Sequence, residues 1–231
     1  MRLRNIPESG EYFEKSPYAV TDVISAKGHW SEIFHNESPL AVEFGCGKGR
    51  FITDLSAAYP EINFVGIDKY TSVLYKGLKR IEDIPFRENL RFACVFANDL
   101  EDIFLPGELD RIYLNFSDPW PKARHADRRL TSRKFLEHYR KVLAPGGCIE
   151  FKTDNRDLFE FSLEEMAESG WTVIDKSFDV HELYAQTPET ADTTDIIHTE
   201  SLTQVRIMTE YEERFVNEGK SICKLIARYD N

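Results

Sequence analysis

The chain has 231 residues, of which 42% are hydrophobic and 30% are charged, and its formal net charge is −11. A chain of this length buries a core without help from disulfides or metal ions, and one domain is the default expectation. No apolar run approaches the roughly 20 residues of a membrane span, and residues 1–17 lack the apolar core of a signal peptide, so we expect a cytoplasmic protein that does not enter the membrane.

Short apolar runs alternate with helical patterns from residue 40 onward, which is typical of a mostly parallel sheet with helices on both faces. Strands are predicted at 40–44, 62–67, 91–96, 111–116, 147–152, 171–178 and 221–229. Helices are predicted at 49–58, 71–82, 131–143, 156–168 and 209–217, the third with Thr131 as its N-cap. These elements predict an α/β fold built on one doubly wound, seven-stranded, Rossmann-like sheet.

Two segments fall outside this alternation. Residues 1–38 contain Pro7, Pro17 and little periodicity, so we expect an N-terminal arm laid over the sheet. Residues 179–205 are polar around "TPETADTTD" and predict a mobile insertion or loop, rather than a packed element, before the final helix and strand. Both segments are expected to belong to one domain that spans residues 1–231.

Charge is distributed unevenly along the chain. Residues 157–200 carry twelve acidic residues and one lysine, so the rest of the chain is neutral overall. Residues 122–141 instead carry eight basic residues and two acidic ones. A polyanion can bind this basic run despite the low overall pI, although an ordinary solvated helix face would carry the same charges.

The four cysteines, at positions 46, 94, 148 and 223, form no C-x-x-C pair. Three of them lie in strand-like runs, where a thiol usually acts as a small hydrophobe. We therefore expect neither a metal site nor a disulfide.

The segment "VEFGCGKGRF" passes from a strand through Gly45, Gly47 and Gly49 into a helix. Glycines let the chain turn with positive φ and let a ligand approach the backbone. Glu43 lies at the end of this strand, and Asp68 ends the next one, where a carboxylate accepts hydrogen bonds from ribose hydroxyls. An acidic group at position 43 repels a pyrophosphate but suits the cationic end of S-adenosylmethionine, which we favour over a dinucleotide.

The Glu-x-Gly-x-Gly-x-Gly pattern, the acidic end of the second strand and the Pro-Gly-Gly at 145–147 resemble class I methyltransferases. The resemblance covers residues 40–229. It implies the fold of that class, in which the last strand of a seven-stranded sheet runs antiparallel.

A second motif follows the fourth strand. Asp118 lies at the end of that strand, at the same sheet edge as Glu43 and Asp68, so three carboxylates are expected to converge on one crevice. Prolines on both sides of Trp120 stiffen the loop. The indole offers a surface on which a base can stack, although a structural role is equally consistent with the pattern.

Three separated motifs closely resemble the tRNA (guanine-N7)-methyltransferases: "NFSDPWPKARHADRRL" at 115–130, "FKTDNR" at 151–156 and "MTEYEERF" at 208–215. The resemblance covers almost the whole chain. It implies methyl transfer from S-adenosylmethionine to guanosine N7 in the tRNA variable loop. Because guanine N7 carries a free lone pair, no base has to remove a proton before the attack. The basic run would then hold the tRNA backbone.

The resemblance also implies roles for individual residues. Glu43, Asp68 and Asp118 match the cofactor-contacting residues of the family, and Asp118 also matches its active-site residue. The positions that match its substrate contacts are Lys122, Asp154, Thr209, Glu210, Tyr211 and Glu212. We expect Arg128 and Arg129 to face the substrate as well.

One position departs from the family. The family usually has Asp or Asn just before a small residue after the third strand, and this chain has Phe96 there. Adenine recognition is therefore assigned to Asn98, with Phe96 and backbone groups as alternatives.

Two other functions stay open at this point. The first is methylation of an exocyclic amine, because Asp-Pro-Trp loosely resembles the Asp/Asn-Pro-Pro-aromatic loop of amino-methylating enzymes. The second is a non-catalytic RNA-binding module that retains a nucleotide pocket. The sequence leaves both a monomer and a homodimer possible, and it gives His125 and His138 no chemical role.

Overall fold

The structure, a computed structural model, describes residues 5–96, 100–187 and 196–229. The helices are α1 (Ser9–Glu14), α2 (Trp30–Phe34), α3 (Arg50–Ala58), α4 (Thr71–Arg80), α5 (Leu100–Ile103), α6 (Arg133–Val142), α7 (Arg156–Glu168), α8 (Val180–Gln186) and α9 (Glu210–Asn217). The strands are β1 (Ala19–Val20), β2 (Leu40–Phe44), β3 (Asn63–Asp68), β4 (Leu90–Cys94), β5 (Leu109–Asn115), β6 (Leu143–Thr153), β7 (Trp171–Ser177) and β8 (Cys223–Tyr229). A 3₁₀ helix spans Ala123–Arg128.

Within the described residues, the eight strands form one sheet in the order β1-β4-β3-β2-β5-β6-β8-β7. The last strand of the chain, β8, runs antiparallel to both of its neighbours, and the remaining pairs are parallel. The predicted doubly wound sheet with an antiparallel last strand is therefore confirmed. The parallel strands bring their carboxyl ends to one edge of the sheet.

Burial on both faces explains the apolar strands. All five residues of β2 are buried, as expected for a parallel strand that helices cover on each side. The helix α3 buries Phe51, Ile52 and Leu55 against one face. The helix α6 buries Phe135 and Leu136 in the cluster on the other face. Each helix thus presents an apolar stripe with helical spacing to the sheet.

The N-terminal arm does more than lie over the sheet. Its two-residue strand β1 pairs in parallel with β4 and adds an eighth strand at the sheet edge. The helix α1 packs beside α4, where the Ile6 amide donates to Ser72 Oγ at 3.1 Å. Trp30 of α2 is buried, and its indole N–H donates to the carbonyl of Ile103 at 3.2 Å. A strand of two residues is too short to leave a sequence pattern, which is why the prediction stopped at seven strands.

The prediction of a mobile loop over 179–205 is wrong for the residues that the structure describes. Residues Val180–Gln186 form α8. Residues 196–209, which we call the strap, bury the side chains of Ile196, Ile197, Leu202 and Val205. Residues 188–195, which hold most of the polar stretch, lie outside the described residues.

Buried cations from the sheet hold the strap in place. Arg111 donates to the carbonyls of Ile197 and Thr199, each at 3.1 Å. Lys224 donates to the carbonyls of Leu202 and Val205 at 3.0 and 2.9 Å. These bonds satisfy backbone oxygens that a packed, irregular segment would otherwise bury without a partner.

A shared carboxylate balances the two cations. Glu150 of β6 pairs with Arg111 of β5 at 2.8 Å and with Lys224 of β8 at 2.9 Å, and all three side chains are fully buried. Burial alone would raise the pKa of Glu150, but the cations Lys224 and Arg111 outweigh it and lower that pKa to about 2. The carboxylate therefore stays ionised at neutral pH.

Candidate active site

The predicted cofactor residues meet at the carboxyl edge of the sheet. Glu43 is the fourth residue of β2, and Asp68 is the last residue of β3. Asn115 ends β5, on the other side of β2. Asp118 follows β5 and Asp154 follows β6 along the same edge. The topology thus brings the predicted carboxylates to one edge, and it adds an asparagine that the sequence analysis did not single out.

The glycine loop between β2 and α3 has an open face. Gly45, Gly47 and Gly49 have φ angles of 72°, 60° and 66°, a region that favours glycine. A Cβ atom at Gly49 would meet the Phe92 ring at 2.6 Å, so close packing requires that glycine. A Cβ atom at Gly45 or Gly47 would meet no described atom within 4 Å. These two glycines therefore leave room for a ligand against the backbone.

Asp68 orders this loop. One of its carboxylate oxygens accepts the Gly47 amide at 3.1 Å, and the other accepts the Tyr70 amide at 3.0 Å. Burial raises the pKa of Asp68, although these amide hydrogen bonds oppose the rise. The carboxylate lies beside the open face of the loop, where a ribose would need its acceptors.

Glu43 is the buried acid of the site. Its Oε1 accepts a hydrogen bond from Asn115 Nδ2 at 2.9 Å. Burial raises the pKa of Glu43 to about 8, with opposing contributions from the Asn115 hydrogen bond and the nearby Lys152. Glu43 Oε2 and Asn115 Oδ1 are buried without a hydrogen-bond partner among the described residues. An acidic group at this position suits the cationic amino group at the methionine end of S-adenosylmethionine, because a cation beside it favours the carboxylate.

The adenine end of the site is only partly described. Phe96 is 58% exposed just after β4, which leaves its ring available at the surface. Asn98, the predicted adenine contact, lies outside the described residues. Its role stays a prediction.

The loop after β5 carries Asp118 in a strained turn. Phe116 and Trp120, which are not glycines, have positive φ angles of 50° and 41°. Such strain persists only where the surroundings hold it, and it concentrates at functional sites. Asp118 is exposed between these two residues, and no described residue forms a hydrogen bond or ion pair with its side chain. Its carboxylate is therefore available to a ligand.

Arg129 provides part of what holds this loop. Its guanidinium donates to the carbonyls of Pro119 and Trp120 at 3.0 and 3.1 Å, and it lies over the Phe161 ring at 4.2 Å. We expected Arg129 to face the substrate, but two of its nitrogens support the loop that presents Asp118. Arg128 is exposed and lies 5.0 Å from the centre of the Trp120 ring.

Fewer cations of the basic run are free to bind RNA phosphates than its total charge suggested. Three of its cations already pair with carboxylates: Arg133 with Glu165 and Glu168, Arg140 with Glu137, and Lys141 with Glu101. Four of its cations are exposed and have no ion-pair partner in the part of the chain that the structure describes: Lys122, Arg124, Arg128 and Lys134. Three of these four lie in or next to the 3₁₀ helix that follows the Asp118 loop.

The run 209–212 divides into structural and exposed residues. Thr209 caps α9: its hydroxyl accepts the Glu212 amide, and the Glu212 carboxylate accepts the Thr209 amide. Glu212 is fully buried and pairs with Lys152 at 3.1 Å and with His181 at 3.0 Å. Burial opposes ionisation of Glu212, but Lys152 and His181 lower its pKa on balance. Thr209 and Glu212 therefore stabilise the start of α9 next to the site. A direct substrate contact by either residue stays a prediction.

The other two residues of this run face outward. Tyr211 is 54% exposed. Glu210 pairs with Lys48 of the glycine loop at 2.7 Å and with Arg80 of α4 at 2.6 Å. These ion pairs connect the first turn of α9 to the cofactor loop.

Three contributors to the site were missed or misread in the sequence. Asn115 ends the strand "RIYLN", and a polar residue at the carboxyl end of a buried strand is a usable signal. Lys152 stands in the buried strand "CIEFKT", where a lysine requires a carboxylate partner. No sequence signal distinguished Arg129, which supports the loop, from Arg128, which is exposed.

The described ranges of the chain contain no group of three or more His, Cys, Asp and Glu side chains placed to hold a metal ion. Among the helices of those same ranges, none combines the length and apolar character that crossing a bilayer requires.

The fold and the site together define a class. Three features are those of class I S-adenosylmethionine-dependent methyltransferases. They are a parallel sheet extended by an antiparallel last strand, a glycine loop after a central strand, and acidic residues at the ends of that strand and the next. Solved structures share this fold at low identity. An antibiotic-related methyltransferase is 19% identical with a TM-score of 0.60, covering 87% of this chain and 93% of that one. The 16S rRNA methyltransferase KamB is 14% identical with a TM-score of 0.62, covering 88% and 94%.

Sequence comparison identifies the family within this class. A family model described as a putative methyltransferase matches residues 37–225. A tRNA (guanine-N(7)-)-methyltransferase from Lachnoclostridium phytofermentans is 48% identical over 227 residues, which is 98% of each chain. The chain belongs to the family of tRNA (guanine-N7)-methyltransferases, and its cofactor is S-adenosylmethionine.

Proposed function

We propose that this protein transfers a methyl group from S-adenosylmethionine to N7 of a guanosine in the variable loop of tRNA. The whole chain, residues 1–231, would act as one methyltransferase domain. We place the reaction in the cytoplasm, without a metal ion, and with the enzyme as a monomer or homodimer. The near full-length similarity to a relative of that name supports the substrate assignment.

One observation at the site carries the proposal. The exposed carboxylate of Asp118, which has no partner among the described residues, follows directly on the strand that ends with Asn115, the hydrogen-bond partner of Glu43. Asn115, which contacts the cofactor residue Glu43 on the neighbouring strand β2, and Asp118, the residue assigned to the base, therefore lie on one strand and its loop. A site for in-line transfer between two ligands needs this proximity.

The reaction requires no base among these residues, because guanine N7 carries no proton that has to be removed before the attack. The cofactor supplies a methyl group on a sulfonium, and transfer to the N7 lone pair leaves a neutral thioether and a cationic 7-methylguanine. Asp118 would lie near the guanine, where its negative charge stabilises the positive charge that develops on the ring. Asp154 offers a second carboxylate that can accept hydrogen bonds from N1 and N2 of guanine.

The remaining residues would bind and orient the RNA. Lys122 and Arg128 provide the exposed positive charge beside the Asp118 loop, and Tyr211 provides an exposed ring. Three further residues position these groups. Arg129 holds the Asp118 loop, Lys152 holds the strap, and Glu212 holds α9.

A substrate analogue tests the assignment of N7. A tRNA that carries 7-deazaguanosine at the target position keeps the Watson–Crick edge but has carbon in place of N7. We expect it to bind with nearly the affinity of the unmodified tRNA and to accept no methyl group. Methylation of this analogue would move the reaction to another atom and contradict the proposal.

A further inference from the structure

A second concave surface lies beside the site. It is a groove of about 780 Å³ at the carboxyl edge of the sheet, between the start of α7, the end of β7 and α8. Asp154 lies at one side, and Arg156, Phe178, Asp179, Glu182 and Lys220 are among the residues that line the rest. Glu43, Asp68 and Asp118 do not line it. The groove is therefore separate from the cofactor crevice and shares Asp154 with the substrate side.

The sheet places the groove next to the target base. Asp154 follows β6, which pairs directly with β5, the strand that leads to Asp118. In the sheet order, β6, β8 and β7 lie on the side of β5 away from β2 and β3, so the groove lies on the side of β5 away from Glu43 and Asp68.

The lining of the groove includes an arginine that lies over an aromatic ring. The guanidinium of Arg156 lies 4.4 Å from the centre of the Phe178 ring. The Phe159 ring packs edge-on against the Phe178 ring, with 5.2 Å between the ring centres. Arg156 Nε donates a hydrogen bond to Glu160 Oε1 at 2.9 Å. The Arg156 side chain is still 65% exposed, so its outer face is open. Unpaired RNA bases stack on such guanidinium and aromatic planes.

The charges around this surface favour a base over an isolated phosphate. Asp179 and Glu182 line the groove. Asp179 Oδ1 accepts the Glu182 amide and Glu182 Oε1 accepts from Gln186, which leaves one oxygen of each carboxylate to accept a hydrogen bond from an N–H group of a base, whereas both carboxylates would repel a phosphate. Lys220 lies between Asp154 at 3.3 Å and Glu218 at 3.6 Å, which are long distances for ion pairs. Its ammonium group also lies 4.0 Å from the centre of the Phe215 ring, and the side chain is 45% exposed, so it offers a positive charge at the rim.

We propose that the groove binds the base of a nucleotide that flanks the target guanosine in the same RNA strand, stacked on the Arg156–Phe178 surface. The inference rests on the proposed function, since it assumes that the target strand is RNA held at Asp118. It adds a subsite for a neighbouring nucleotide, and so a source of preference for the sequence around the target.

A double-mutant cycle between protein and RNA tests this subsite. The partners are the Arg156→Ala and Phe178→Leu variants and tRNA transcripts that carry an abasic site at one position flanking the target. We measure tRNA affinity with S-adenosylhomocysteine bound, so that no turnover occurs. The loss of stacking predicts a roughly 5- to 150-fold weaker affinity for the variants. At one flanking position, the abasic transcript should bind wild type more weakly than the intact transcript does, by a similar factor. The variants should bind the abasic and the intact transcripts with nearly the same affinity.

Controls separate the subsite from other effects. Phe86→Ala removes another exposed ring with an arginine over it, Arg91 at 5.5 Å, but this residue precedes β4 at the opposite edge of the sheet. It should change neither tRNA affinity nor the coupling to the abasic site. S-adenosylmethionine affinity and melting temperature should stay unchanged in Arg156→Ala.

A failure of the subsite is distinguishable from a failure of the proposed function. The subsite alone is refuted if wild type methylates tRNA but the protein substitutions and the abasic sites change tRNA affinity independently of each other. It is also refuted if neither changes tRNA affinity. Wild type that transfers no methyl group to tRNA would remove the proposed function, and the inference with it.

Discussion

At the scale of single residues, the charge of Glu43 depends on what occupies the site. With a pKa of about 8, this carboxyl is mostly protonated at pH 7 before the cofactor binds. A cationic amino group beside it favours the carboxylate and lowers that pKa, so binding should release a proton at pH 7. Cofactor affinity should then rise as the pH increases from 6 towards 8. Calorimetry in buffers of different ionisation enthalpy measures the released proton directly.

The variant Glu43→Gln controls for protons exchanged by the cofactor's own amino group. It should bind the cofactor more weakly and should lack the proton release seen in wild type. Equal proton exchange in the two proteins would contradict the assignment of Glu43 as the titrating partner.

Asp118 offers a test of the chemistry itself. Because its side chain is exposed and no described residue pairs with it, Asp118→Ala should leave the melting temperature unchanged. Loss of one group that stabilises developing charge should lower the rate of methyl transfer by roughly 10²-fold or more. Asp127→Ala, which removes an exposed carboxylate from the adjacent 3₁₀ helix, is the matched control and should retain full activity. Near-normal turnover by Asp118→Ala would exclude the proposed role.

At the scale of elements, the strap depends on buried ion pairs. Glu150→Gln leaves Arg111 and Lys224 buried without their shared carboxylate, and removal of one partner from such a pair destabilises a protein by about 3–5 kcal/mol. Urea denaturation should show this loss. Glu160→Gln, which alters an exposed ion pair with Arg156, should change the free energy of unfolding by less than about 1 kcal/mol. Similar stability of the two variants would show that the buried cluster does not hold the strap.

The same cluster predicts how acid affects the fold. The pKa of Glu150 is about 2 in the folded protein, below its ordinary value of 4.5. The unfolded chain therefore binds a proton more readily between these values, so the stabilisation from Glu150 is complete above pH 4.5 and is lost as the pH falls towards 2. Glu150→Gln should lack this part of the acid dependence, which denaturation at several pH values would reveal.

The basic run divides into residues of different function. Arg128→Ala should weaken tRNA binding and reduce the slope of log affinity against log salt by roughly 0.7 to 0.9, as expected for one lost phosphate contact. Arg140→Ala, which removes an arginine already paired with Glu137, should leave that slope unchanged. Salt titration of both variants decides the matter, and coincident slopes for Arg128→Ala and wild type would place the tRNA elsewhere.

At the scale of the whole molecule, the sequence predicted what depends on local pattern. The strand ends that carry Glu43, Asp68 and Asp118 followed from apolar runs and glycine punctuation, because parallel strands bring those ends together. The strap could not be predicted from hydrophobicity alone. Its buried apolar residues, Ile196, Ile197, Leu202 and Val205, are spread through a polar segment. Its backbone carbonyls accept hydrogen bonds from Arg111, Lys152 and Lys224, which come from distant strands.

The role of Arg129 shows the same limit within the site. In the sequence it is one of eight basic residues in the run 122–141. Only the folded loop reveals that its guanidinium meets the carbonyls of Pro119 and Trp120. Contacts between neighbouring segments of a strained turn depend on backbone geometry that residue types alone do not specify.

Nucleoside analysis tests the proposed activity of the whole molecule most directly. Unmodified tRNA is incubated with the protein and S-adenosylmethionine, digested to nucleosides and analysed by mass spectrometry against authentic standards, with Asp118→Ala in parallel. We predict that 7-methylguanosine accumulates with wild type and stays at background with the variant. Absence of any methylated nucleoside with folded wild type, or a methyl group on an exocyclic amine instead of N7, would contradict the account.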